Sequence, residues 1–97
     1  MNWAQIAEFQ RANLQALERG TPVAVLTQEK GIEEWHFCFS FQQDDDEAPN
    51  DLVLSLSPRI KHDSVIGIEA ITRMELMSAD RISALLNAAY MMGLLLK

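Results

Sequence analysis

The chain predicts an α+β fold in two layers: an N-terminal helix, a four-stranded antiparallel meander and a C-terminal helix, in the order α-β-β-β-β-α. Three observations carry that expectation. Helical periodicity occupies the two ends, two-residue alternation fills the middle, and the connections between alternating segments are short. Short connections call for antiparallel neighbours, because parallel pairing needs a long crossover. The 97 residues suffice for one domain, taken as residues 1–97.

The first element opens with Asn2 as cap and Gln5 three positions later, the pattern of a capping box. At 100° per residue, Trp3, Ile6, Ala7, Leu14 and Leu17 share one side, with Phe9 at its margin. Glu8, Arg11, Gln15, Glu18 and Arg19 fall opposite. Gly20 offers a left-handed stop and Pro22 prevents continuation, so one helix is expected up to that point.

Pro22 to Gln28 reads as the first strand, and Gln28 to Gly31 as a turn in which Gly31 supplies a positive φ. In the second strand, Trp35, Phe37, Phe39 and Phe41 alternate with His36, Cys38, Ser40 and Gln42. The four aromatics are expected to face the core, leaving the other four on an outer polar face. Asp44 to Asn50 is an acidic loop. Leu52, Leu54 and Leu56 then alternate with Val53, Ser55 and Ser57 in a third strand that Pro58 ends. The fourth strand, Val65 to about Met74, turns Ile66, Ile68 and Ala70 inward and Gly67, Glu69 and Arg73 outward. Both helices are expected to lie on the aromatic face of this sheet.

Ser78 caps the last helix and Asp80 complements its dipole. Ile82, Leu85, Leu86, Ala89, Met92, Gly93 and Leu96 form one stripe. The far side is polar at Asp80, Ser83 and Asn87, then turns apolar at Met91, Leu94 and Leu95. A helix of a small domain usually keeps that side wet. Met91, Leu94 and Leu95 are therefore expected to form an interface, most simply a two-fold homodimer contact.

Composition narrows the function classes. Fourteen acids against eight bases give a net charge of −6, which opposes binding to a phosphate backbone, so no nucleic-acid partner is expected. Arg59, Lys61 and His62 form a small basic loop, not a groove-lining stripe. The uncharged run from Ile82 to Leu96 is shorter than the roughly 20 residues of a membrane span, so no membrane insertion is expected. Cys38 stands alone, so no internal disulfide is possible, and the start carries no signal-peptide pattern. The expected localisation is cytoplasmic.

No catalytic, cofactor-binding or metal site is expected. His36 and Cys38 are same-face neighbours on a strand, with Glu69 two strands away, which sketches a nucleophile, a base and an orienting acid. Same-face strand neighbours diverge, however, and a mixed polar outer face, the norm for antiparallel sheets, is the better account of the three. His36 and His62 are too distant in sequence, and too few with one cysteine, for a zinc site. The run Asp44 to Asp51 lacks the alternating ligands and central glycine of a calcium loop. Trp35, His36, Cys38, Ser40, Glu69 and Tyr90 remain as a ligand or partner face.

The sequence thus reads as a small acidic, non-enzymatic protein-binding module acting as a homodimer. The alternative is a small-molecule-binding protein with an apolar pocket between sheet and helices, lined by Trp35, Tyr90 and methionine side chains.

Overall fold

The computed structural model describes residues 1–44, 49–55 and 63–91, and for residues 63, 85, 86 and 88–90 the backbone alone. It is an α+β fold, as expected, but with six strands in two antiparallel sheets where four in one sheet were expected. The capping box forms as its spacing requires. The Asn2 side chain accepts from the Gln5 N–H at 2.9 Å, and the Gln5 side chain accepts from the Asn2 N–H at 2.8 Å. The expected single helix is broken into α1 (Trp3–Ala12) and α2 (Leu14–Glu18). The cause is Asn13, whose side-chain amide and backbone N–H both donate to the Phe9 carbonyl, at 2.9 and 3.1 Å. An asparagine side chain that competes for a backbone carbonyl in this way ends regular helix. Gly20, at φ 84°, then closes α2 in a Schellman motif: its N–H donates to the Leu17 carbonyl and the Thr21 N–H to that of Ala16.

Strands β1 (Val23–Glu29) and β2 (Ile32–Cys38) join through the two-residue turn Lys30-Gly31, with φ of 51° and 78°. Two consecutive positive φ values suit the right-handed twist of a tight hairpin. Strands β3 (Ser40–Gln43), β4 (Asp51–Ser55) and β5 (Asp63–Gly67) make the second sheet. A 3₁₀ turn over Ile68–Ala70 leads into β6 (Ile71–Leu76), which returns to pair with β1, so the first sheet has the order β2-β1-β6. The expected second strand is thus β2 and β3 with a bend at Phe39, whose N–H donates to the Ser55 carbonyl at 2.8 Å. The expected fourth strand is β5 and β6 with the 3₁₀ turn between.

The bend inverts the expected facing of β2. Val23, Val25 and Cys38 are fully buried and share one core with Leu52 and Leu54 of β4, Ile68, Ile71, and Ile6 of α1. Register sets Val23 opposite Cys38, and Val25 opposite His36, so the Cys38 side of β2 is the inner one. Trp35 and Phe37 face the other way. Phe41 returns to the core, where its ring lies 6.4 Å from that of Phe9. Cys38 and Phe41 are three positions apart and both inside, which unbroken two-residue alternation forbids. On β6 a bulge opposite Leu26 and Thr27 has the same effect, placing Met74 and Ile71 both on the inner side. The chain start is fastened to this core, with the Met1 amino group donating to the carbonyls of Ile68 and Ile71 at 3.0 and 2.8 Å.

The helices do not share the aromatic face. Helix α1 covers the inner face of the strands, while α3 (Ala79–Met91) begins against Trp35 and Phe37 on the outer one. The Arg81 guanidinium lies 4.9 Å from the Trp35 ring centroid and 5.3 Å from that of Phe37. Glu75 of β6 holds it at 2.9 Å and also pairs with Arg73 at 3.1 Å. A cation fixed over two rings and a carboxylate ties the helix start to the sheet. Arg81→Ala should lower stability by about 1 kcal/mol, and Arg81→Lys, which cannot stack its plane on both rings, should recover only part of it. Urea midpoints check both, and a midpoint unchanged in Arg81→Ala would show the clasp to be inert.

Candidate functional site

Of the six residues expected to share a ligand or partner face, the five whose side chains are described do not come together. Trp35 lies on the outer face of the first sheet beneath Arg81. Ser40 is exposed on β3 opposite Ser55, on the second sheet. Glu69 is exposed on the 3₁₀ turn, not on a strand. The side chain of Tyr90 lies outside the described residues.

Cys38 is in the core at 1% exposure, and burial pushes its thiol up from 9.0 to about 12. A thiol that keeps its proton at neutral pH is a poor nucleophile. The grouping of Cys38, His36 and Glu69 on an outer face is therefore not what forms. Of the expected interface residues, Met91 is 86% exposed at the end of α3, and Leu94 and Leu95 lie outside the described residues. So do Arg59, Lys61, His62 and most of the acidic loop. Its two ends are joined where the Asp44 N–H donates to the Asp51 carbonyl at 3.1 Å.

His36 belongs to an arrangement that the sequence did not reveal. Along the inner face of the β1–β2 hairpin the cross-strand pairs run Val23 with Cys38, Val25 with His36, Thr27 with Glu34, and Glu29 with Ile32. The row begins apolar and ends polar. Where it changes character the two sheets part, leaving a cleft of about 200 Å³ lined by Thr27, Glu29, Glu34 and His36 on one side, and Val65, Ile66, Gly67 and Ala70 on the other. Thr27 is only 7% exposed and forms the floor. Its hydroxyl lies 3.0 Å from His36 Nε2 and 3.3 Å from the Glu34 carbonyl, to which it donates. The hydroxyl and His36 Nε2 share one hydrogen bond, whose direction follows the tautomer of the ring. The Glu34 carboxylate sits 3.9 Å from the same ring nitrogen, and Glu29 makes no ion pair among the described residues.

The signal for this cleft is present in the sequence: a threonine, two glutamates and a histidine on one parity of a hairpin. Reading that parity as the outer face concealed it. A second, more open hollow of about 510 Å³ follows the break between α1 and α2, lined by residues 11–16 and Arg19. Among the described residues no three His, Cys, Asp or Glu side chains converge as a metal site would need. No helix among them is long and apolar enough to cross a membrane.

No protein-family model, curated protein or solved structure matches this chain.

Proposed function

We propose that this chain is a non-enzymatic protein-binding module that acts as a homodimer in the cytoplasm, with the far face of α3 as the contact between copies. The observation that carries the reading is Met91, which presents nearly its whole side chain to solvent from a helix whose last charged residue is Arg81. On the same side Asp80, Ala84 and Asn87 are exposed, so Met91 ends a face that the described residues leave open. Leu94 and Leu95 follow three and four positions later in the sequence. Each such side chain gains roughly 1.5–3 kcal/mol when fully taken from water. A patch matched against its own two-fold copy is the simplest way to bury it, and a domain of this length gains much from the added burial.

Sedimentation equilibrium at micromolar concentration should give twice the mass of one chain. Met91→Glu combined with Leu95→Glu should reduce that mass to one chain while the far-ultraviolet spectrum stays unchanged. A single-chain mass for the unaltered protein at tens of micromolar would remove the dimer.

A further inference from the structure

We infer that the cleft between the β1–β2 hairpin and β5 receives a basic side chain, a guanidinium above all, presented by a partner protein. The inference gives the partner surface of the proposed binding module a chemistry, and so rests on that reading, but it is independent of the α3 contact. Four features support it. The volume of about 200 Å³ falls below the range that encloses a metabolite of ordinary size, and suits one long side chain. The second is the lining: Ile66 and Ala70 border the cleft on one side, where an aliphatic stem would lie, and Glu29 and Glu34 border it on the hairpin side.

The third feature is spacing. Glu29 pairs with Ile32, and Glu34 is two positions further along the same face, so the two glutamates are diagonal cross-strand neighbours. Diagonal neighbours sit roughly 7–8 Å apart, which leaves room for a planar cation between two carboxylates. The fourth is that, among the described residues, no lysine or arginine forms an ion pair with either glutamate. Lys30, next to Glu29 in the turn, makes no ion pair among the described residues, and His36 is engaged by Thr27. The chain's net charge of −6 adds a field that favours a basic partner during approach.

The test is a nitrogen-15 NMR titration with N-acetyl-arginine-amide, with N-acetyl-citrulline-amide as its uncharged isostere and 1,4-diaminobutane as a free cation. The arginine probe should give saturable shifts confined to the amides of Thr27, Glu34, His36, Val65 and Gly67, with a dissociation constant on the order of millimolar for so small a ligand. Citrulline should give none. Glu29→Gln and Glu34→Gln should each weaken the arginine probe about fivefold. Both sites are exposed, so unchanged melting curves should certify the fold.

Equal response to citrulline, shifts scattered over the acidic surface, or affinity indifferent to both substitutions would overturn the inference. Tighter binding of the diamine than of the arginine probe would overturn it too, by making the cleft a site for a free amine. Immobilised wild-type and Glu29→Gln/Glu34→Gln proteins separate the two proposals: a partner retained equally by both keeps the module and removes this cleft from it.

Discussion

Replacing Leu54 by alanine is expected to cost about 2–5 kcal/mol, the usual range for emptying a buried leucine site. Leu54 is fully buried in β4, the middle strand of the second sheet, and faces the core that Val25, Cys38 and Ile6 enter from the other elements. Its cross-strand neighbours are Phe41 and Ser64, so the vacated volume lies between two sheets and a helix, where collapse is difficult. A domain of this size has little stability to spare, and the variant should be largely unfolded at 37 °C. Val53→Ala, one residue back on the outward face of the same strand, should cost under about 1.5 kcal/mol. Urea denaturation followed by circular dichroism measures both. Equal losses at positions 53 and 54 would contradict a core placed between the two sheets.

The second large effect is alkaline. In the folded chain the Cys38 thiol titrates at about 12 against 9.0 when unburied, because the core would have to hold a bare thiolate. Below pH 9 both states keep the proton and the thiol contributes nothing to any change with pH. Above it the unfolded chain releases the proton and the native chain does not, so the stability present below pH 9 is lost as pH rises toward 12. The slope from this one group approaches about 1.4 kcal/mol per pH unit in that window. Tyrosine and lysine titrate in the same region, so the informative quantity is the difference between the wild type and Cys38→Ala. Their urea midpoints, compared at pH 8.5 and 10.5, should converge as pH rises. Parallel lines would place the thiol in contact with water. Reaction with a thiol reagent at pH 8 should likewise await unfolding.

Much of the fold was legible, and the errors in the strands share one cause. The capping box at Asn2 and Gln5, the stop at Gly20, the turn at Gly31 and the inward leucines 52 and 54 all followed from local chemistry, and all formed. What failed was parity carried across a bend. Two-residue alternation from Trp35 to Gln42 reads as one strand, and nothing in its residue types marks Phe39 as the point where the chain changes sheet. With that hidden, four aromatics read as a core face, although Trp35 and Phe37 end up under α3 and Cys38 ends up inside. The same slip misplaced the expected face: Cys38 lies in the core, Ser40 on the second sheet and Glu69 on the 3₁₀ turn, so none of them joins His36 on one outer surface. The neighbours of His36 are Glu34, two positions back on the same strand, and Thr27 across the hairpin, and the second of these is visible only once register is fixed.

The return of β6 to β1 also governs when this molecule acquires its shape. Val23 pairs with Leu76, and Val25 with Met74, across more than half the chain. During synthesis the hairpin of β1 and β2 leaves the ribosome with one side of its most apolar strand unmatched, and it stays so until β6 has been made. Contacts of such long sequence separation form slowly. An open apolar edge over that interval is where a nascent chain aggregates, which makes the time between residues 29 and 76 the hazardous part of its biosynthesis.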